Sequence, residues 1–315
     1  MNRTILVLIF SLIALALNCG CWMRMLICAE ISLLIFYDHI FRKSRGKFKA
    51  CSKDLGKFHP GKVGAYLINL DRAKDRLNFS APQIIALGLP LERISAVDGN
   101  TLSREYIQSI VDLKIYQQIF KTSPELGTIG CSLSHEMAWR KFLSSDNEFA
   151  LIFEDDVQFN PRELKAVLKS VLDKKSLWDI VLFEPKHLGC PVKITPLPCG
   201  THLVCYLTNV THAGCYLICR QAILRLLQQF YPIQLPLDHY FTAAWEFNLK
   251  CVGVLPQLVH QNFGASQIKT NRMVKKKVLS PINFIHNSQR AIVHFSYNLF
   301  CLIHFFSSAT LKKRN

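Results

Sequence analysis

The sequence predicts an α/β fold built around a largely parallel sheet, and two observations predict it. Between Val63 and Asn262, apolar strand-like runs alternate with segments of helical character. Turn residues fall at the junctions: His59-Pro60-Gly61-Lys62, Asp98-Gly99, Pro161 and Pro236.

The elements follow in order. Val63 to Leu70, VGAYLINL, is the first strand. Asp71 stands where it can cap a helix beginning in DRAKDRL, which Pro82 kinks or splits and Gly88 ends. LERISAVDGN is a short second strand closing in the Asp98-Gly99 turn. Residues 103–120 read as amphipathic helix. Gly127 to Trp139, GTIGCSLSHEMAW, is a glycine-rich turn entering a helix that runs to Leu143. Phe149 to Phe153 is a strand, Pro161 opens a helix to Leu172, and Trp178 to Glu184 is a third core strand. Residues 185–201, rich in Pro and Gly, read as loop. HAGCYLICR is a strand leading into a helix from Gln221 to Phe230. PLDHYFTAAWEF is a helix opened by Pro236, and KCVGVLPQLVHQN is a final strand and loop.

Composition divides the chain into three parts. Residues 1–57 are an apolar lead with a basic flank, residues 58–268 a globular domain, and residues 269–315 a basic amphipathic tail. The formal charge of +16 is concentrated outside the globular part. One basic cluster is Arg42, Lys43, Arg45, Lys47 and Lys49; the other is Arg272, Lys275, Lys276 and Lys277, with Lys312, Lys313 and Arg314 beyond. Such patches seek anions. Nucleic acid is excluded as partner, because the patches lack an aromatic-interleaved motif or a zinc module. Thr4 to Met23 carries no formal charge and has the length of one bilayer-spanning helix. Its weak n-region and poor cleavage site favour a retained anchor over a cleaved signal. The tail mixes RMVKKKV with FSYNLFCLIHFF, a pattern suited to a membrane surface.

Basic residues follow the apolar run, which puts the rest of the chain on the cytoplasmic face. The 12 cysteines show no repeated CxxC spacing and sit mostly in apolar contexts, as expected of reduced thiols. The competing compartment is the lumen, with the chain as a type II membrane protein. Asn78-Phe79-Ser80 and Asn209-Val210-Thr211 are sequons that the lumen would expose to glycosylation.

The stretch ALIFEDDV poses the chemical question. A hydrophobic strand runs into Glu154, Asp155 and Asp156, and adjacent carboxylates repel. In an open α/β sheet, ligands bind beyond the carboxyl ends of the strands. A divalent cation, Mn²⁺ or Mg²⁺, would neutralise the acids and take phosphate oxygens as further ligands. The plain alternative is a solvated acidic turn, with Asp156 capping the next helix.

Four motifs in order resemble glycosyltransferase family 25: INLDRAKDR (Ile68–Arg76), ISAVDG (Ile94–Gly99), GTIGCSLSH (Gly127–His135) and ALIFEDDV (Ala150–Val157). HAGCYLICRQAILRLL, PLDHYF and LPQLVHQN extend the resemblance over roughly residues 63–265. That family includes bacterial lipooligosaccharide galactosyltransferases and collagen galactosyltransferase-like enzymes. The resemblance implies a GT-A, Rossmann-like nucleotide-sugar fold, a UDP-sugar donor such as UDP-galactose, a divalent metal and inversion at the sugar carbon. It further implies a saccharide acceptor, as in lipopolysaccharide or a related surface glycan. A lipid-linked acceptor would explain a lead and tail that hold the enzyme at a membrane.

The resemblance also assigns roles. Asn69, Arg72 and Arg76 become donor contacts, arginine's fork suiting phosphate. Asp98 reaches the nucleotide or sugar. Gly130, Ser134 and His135, near a helix start, meet donor hydroxyls or phosphate. Gln261 fits the family pattern better than its neighbour His260. Glu154, Asp155 and Asp156 hold the metal, the liganding pair being open between Glu154 with Asp156 and Asp155 with Asp156. Asp238 is the nominated catalytic base, with Asp155 or Glu154 as the other acids able to act. The competing reading is a scaffold that keeps the fold and has lost transfer activity.

Overall fold

The computed structural model describes residues 62–120, 122–187, 190–262, 294–299 and 301. The apolar lead and most of the tail, with their basic clusters, lie outside the described residues. Among the described residues no helix is long and apolar enough to cross a membrane.

The first strand is β1 (Val63–Asn69), and all seven of its residues are buried. It pairs in parallel with β2 (Leu91–Ser95) on one edge and β3 (Phe149–Glu154) on the other. Parallel strands need crossovers, and helices supply them. Helix α1 (Lys74–Ile85) joins β1 to β2. The longer crossover from β2 to β3 carries α2 (Arg104–Ile110), α3 (Leu113–Phe120) and α4 (Leu126–Leu143). Helices α1 and α4 both pack on β1, which explains its near-continuous apolar sequence. The register sets Ile68 beside Glu154, so Asn69 and the acid cluster leave the sheet at the same end.

Beyond β3 the sheet changes character. Strand β4 (Val157–Phe159) leads into α5 (Pro161–Leu172), whose N-cap is Asn160. Then come β5 (Ile180–Leu182), β6 (Lys186–His187), β7 (Pro191–Pro196), β8 (His202–Tyr206), β9 (Val210–Thr211) and β10 (Cys215–Cys219). Helix α6 (Arg220–Leu227), the short α7 (Leu237–Thr242), β11 (Cys251–Leu255) and β12 (Val259–Gln261) complete the domain. The eight-stranded order is β2-β1-β3-β10-β5-β11-β8-β7. Strand β10 is antiparallel to both β3 and β5, and β8 is antiparallel to both β11 and β7. The sheet is therefore mixed: parallel at β2-β1-β3 and β5-β11, antiparallel elsewhere.

Local expectations differ from the structure in four places. Residues 185–201 were expected to be loop, yet they hold β6 and β7. Strand β7 is the sheet's edge, where Pro191 and Pro196 can sit at its ends without breaking an inner ladder. Pro82 does not split α1. Asn78, four residues back, is exposed, so water can serve the carbonyl that loses a donor. Asp71 does not cap α1; it accepts hydrogen bonds from Arg93 and Ser95 instead. The glycines of GTIGCSLSH lie within α4 and not before it. A Cβ at Gly130 would sit 2.6 Å from the carbonyl oxygen of Val97, and one at Gly99 would strike the backbone of Leu126. These two glycines let the Val97–Gly99 loop lie directly against α4.

The core is continuous from β2 to β8. Trp139, Trp178, Phe142, Phe153 and Phe183 are among its fully buried side chains. Each such burial contributes about 1.5–3 kcal/mol. Part of the tail joins this core. Residues 294–299 are helical, with His294, Tyr297 and Asn298 buried. The Tyr297 hydroxyl donates to the carbonyl of Leu249 at 3.3 Å. Among the described residues the eight cysteines form no disulfide with one another.

Candidate active site

The acid turn at the end of β3 sends its three carboxylates in different directions. Asp155 is only 8% exposed and is gripped from two elements. Asn69, the last residue of β1, donates to its Oδ2 at 2.7 Å. Arg76, on the first turn of α1, donates to its Oδ1 at 3.1 Å. Ser80, one turn further on, donates to its backbone carbonyl at 2.6 Å. Asn69 is itself fixed by Arg93, whose Nε donates to its Oδ1 at 3.0 Å. Asp155 thus ties the end of β3 to β1 and α1, and both its oxygens are engaged.

Glu154 points the other way, toward α4. His135 is fully buried, and its Nε2 lies 3.3 Å from Glu154 Oε1. Cys131, one turn earlier on α4, places its Sγ 3.7 Å from the same oxygen. Ligand-type atoms of Cys131, His135 and Glu154 all lie within 4.8 Å of one another. Burial pushes the Glu154 carboxyl up, but the His135 bond, helped by His212 and Cys131, outweighs it and holds it below the usual range. Burial pushes the Cys131 thiol well above its ordinary value, and the charges of Glu154 and Asp238 add to the effect.

Asp156 has the least support. Its Oδ1 is buried without a hydrogen-bond partner among the described residues. Its Oδ2 lies 3.6 Å from Arg76. Burial and the charge of Glu154 push its carboxyl up to about 7; Arg76 opposes this, and Asp155 and Glu184 reinforce it. Glu184 follows β5 and is 5% exposed. His212 Nδ1 lies 3.4 Å from Glu184 Oε1, while Glu184 Oε2 is buried without a partner among the described residues. Gly214 leaves room for that oxygen, since a Cβ there would stand 2.2 Å from it. His212 is held at φ 81°, a left-handed conformation that costs a β-carbon-bearing residue about 1–2 kcal/mol. The backbone N–H of His212 donates to Asp238 Oδ2 at 3.3 Å, at the start of α7.

The remaining predicted residues form the rim and its supports. Arg72 and Asp98 pair with each other, and the Arg72 side chain is 52% exposed. Asp98 also accepts from the backbone N–H of Asn100, which, ahead of Arg72, holds its carboxyl below the usual range. Ser134 is buried in the third turn of α4. Its hydroxyl accepts from Val97 N–H at 2.9 Å and donates to the Gly130 carbonyl at 2.6 Å. Gly130 and Ser134 therefore anchor the Asp98 loop, while His135 serves Glu154. Gln261 is exposed on β12, opposite Val157 of β4. The following residue, Asn262, donates its N–H to the Asp156 carbonyl at 2.8 Å.

Sequence reasoning missed Glu184 and His212. Glu184 stands at the end of a core strand, as Glu154 does, and that repeated strand-end acid was the available signal. A positive φ at a histidine leaves no mark in the sequence.

The profile of glycosyltransferase family 25 (LPS biosynthesis protein) matches residues 63–241, more than half of the chain. A glycosyltransferase 25 family member of Aedes aegypti is 34% identical over 128 residues, 39% of this chain and 21% of that protein. Procollagen galactosyltransferase 2 of Homo sapiens is 29% identical over 149 residues, 44% of this chain and 24% of that protein. An inactive glycosyltransferase 25 family member 3 of Mus musculus is 26% identical over 211 residues, 61% of this chain and 36% of that protein. The chain thus spans from about a fifth to a third of the length of these relatives.

Proposed function

The chain belongs to glycosyltransferase family 25, and from that premise we propose that it transfers a sugar, galactose, from a UDP-sugar to a saccharide acceptor within a GT-A-type domain. One observation carries this reading: among the described residues, two buried carboxylate oxygens at the same strand-end cluster, Asp156 Oδ1 and Glu184 Oε2, have no partner. A buried carboxylate without a partner is costly, and a cation with its diphosphate would relieve both.

The residues fit a divalent metal, Mn²⁺ or Mg²⁺. Glu154 and Asp156 would hold it, with Glu184 adding negative charge behind them. Asp155 is the less available acid, because Asn69 and Arg76 each donate to one of its oxygens. That favours the pairing of Glu154 with Asp156. When bound, the metal would neutralise charge on the departing diphosphate. Arg72, exposed on the rim, can leave Asp98 for a phosphate. Asp238 accepts one backbone bond through Oδ2 and keeps Oδ1 for a proton. In the transfer, the acceptor hydroxyl attacks the anomeric carbon and its proton passes to Asp238. The bond from that carbon to the diphosphate breaks, and UDP leaves with the electron pair. A single displacement of this kind inverts the sugar carbon.

We place the acceptor in a surface glycan of lipopolysaccharide type, lipid-linked and reached from the cytoplasmic face of a membrane. The procollagen named for the human relative is the competing acceptor, and a lumenal type II placement would accompany it. A catalytically retired scaffold is the second reading. It is favoured by the inactive relatives, which match a larger share of this chain than the procollagen galactosyltransferase does. The deciding experiment is UDP-galactose binding and hydrolysis with Mn²⁺ by the full chain and by Asp156→Asn. Metal-dependent binding and turnover that the substitution abolishes support transfer. A folded wild type that binds neither metal nor donor supports the scaffold.

A further inference from the structure

We propose that Trp139 and Tyr216 lock His135 as a neutral imidazole with its proton on Nε2, and that this ring aims Glu154 at the ligand. Tyr216 and His135 are then positioning residues for the reaction proposed above, on which the second half of the inference rests.

Counting donors and acceptors fixes the tautomer. Trp139, His135 and Tyr216 are all fully buried, so bulk water does not reach their polar atoms. Trp139 and His135 stand one turn apart on α4, and Tyr216 lies on β10 beside β3. The indole Nε1–H can only donate, and it reaches the Tyr216 oxygen at 2.9 Å. The Tyr216 hydroxyl proton then needs an acceptor of its own. Among the described residues the other polar atom bonded to it is His135 Nδ1, at 2.9 Å. Nδ1 therefore accepts, and the ring proton must sit on Nε2, which faces Glu154 Oε1. A doubly protonated ring would donate to Tyr216 as well, stranding a buried hydroxyl proton. The two rings are nearly parallel, 21° apart with centroids at 5.6 Å, and Phe241 packs on Tyr216 at 4.8 Å. Packing thus holds the ring plane, and the hydrogen bonds hold its polarity.

The consequence falls on Glu154. Its Oε1 is taken by His135 and Cys131, and among the described residues nothing bonds Oε2. One oxygen is fixed so that the other is presented in a set direction. A partner of this kind, behind a group that meets the ligand, is worth about 10–100-fold in affinity or activity. The same count opposes another reading of Cys131, His135 and Glu154, a site for a thiophilic metal. Zinc would need the Nε2 lone pair, which the proton occupies.

The test uses full-length protein labelled with ¹⁵N-histidine and free of metal. His135 is assigned by its disappearance in His135→Gln. The expected signature is one protonated and one bare ring nitrogen, with the proton on Nε2, and loss of that single tautomer in Tyr216→Phe. A doubly protonated ring, a proton on Nδ1, or Zn²⁺ bound through His135 would overturn the lock. Glutamine can accept from Tyr216 and donate to Glu154, whereas leucine only fills space. Mn²⁺ and UDP-galactose affinity should therefore fall at least tenfold in His135→Leu and less than threefold in His135→Gln, by the scale for such partners of roughly 10–100-fold. Equal losses in the two variants would reduce His135 to a packing residue. If the wild type binds neither probe, the proposed function fails, and the nitrogen spectrum still decides the lock.

Discussion

Asp155 and Asp156 are neighbours in the chain and opposites in the fold. Asp155 faces the β1–α1 side, where Asn69 and Arg76 engage both its oxygens. Asp156 faces Glu154 and Glu184, and one of its oxygens is buried with no partner among the described residues. The contrast separates two uses of a buried acid. Satisfied on all sides, it is a structural tie. Left short of partners among other acids, it is where the proposed cation would gain most. Which acid does which is set by the turn after β3, which points successive side chains to different elements.

The largest expected effect breaks the satisfied side. Asp155→Ala removes one partner from Arg76, which keeps Asp156 at 3.6 Å, and one from Asn69, both substantially buried. Breaking a buried pair from one side costs about 3–5 kcal/mol. Urea or thermal unfolding of the metal-free chain should show a loss of that order. An unchanged midpoint would mean that Asp155 is not a tie, and would return it to the set of metal ligands. Activity lost in this variant carries no catalytic meaning unless the fold survives.

The next effect has the opposite sign. The Asp156 carboxyl titrates at about 7 in the folded chain against 3.8 ordinarily. Between those values the folded state binds more protons than the unfolded one, so stability falls as pH rises through that window. Asp156→Asn should abolish this slope and stabilise the metal-free chain at pH above about 7, every tenfold change in proton affinity being worth about 1.4 kcal/mol. Mn²⁺ at a hundred times its Kd should add ~2.7 kcal/mol to the wild type and nothing to the variant. Glu184→Gln should act in the same direction but more weakly, since its charge is the smallest of the named contributions to Asp156. A wild type that gains stability from pH 5 to pH 8, with no such gain in Asp156→Asn, would invert the assignment.

These distinctions were only half legible in the sequence. The strand that delivers the acids was plain, because VGAYLIN and FALIFE are apolar runs that fit a sheet covered on both faces. The parallel block β2-β1-β3 followed from its helices. The antiparallel strands did not, because β7 looks like a loop when its proline-bounded edge is read alone. Among site residues, Asn69 and Arg76 were read from one motif as donor contacts, and Asp155 from another as a metal ligand. Their joint use, two donors spent on one carboxylate, depends on register between β1 and β3. Ser134 and His135 looked like residues at a helix start. Only the true start of α4 at Leu126 moves them inward, to serve the Asp98 loop and Glu154.

The smallest structural effect belongs to the exposed rim, where Arg72 pairs with Asp98. An exposed pair of this kind adds at most about 1 kcal/mol to stability. Arg72→Ala should leave the unfolding midpoint nearly unchanged. Asp98→Asn should do likewise, since asparagine keeps the acceptor that meets Asn100 N–H. What remains of Asp98's contribution is present above its ordinary carboxylate range and is lost as pH falls through its depressed folded value. Donor affinity is where the two variants should part. If Arg72 leaves Asp98 to meet a diphosphate, Arg72→Ala loses a charge-assisted bond of about 1.5–3 kcal/mol, at least tenfold in affinity. Asp98→Asn frees the same arginine and should hold or improve binding at low salt. Titration of UDP-galactose into both variants reads the difference. Matched losses would mean that the pair works as a unit, shaping the rim without releasing its arginine to the donor.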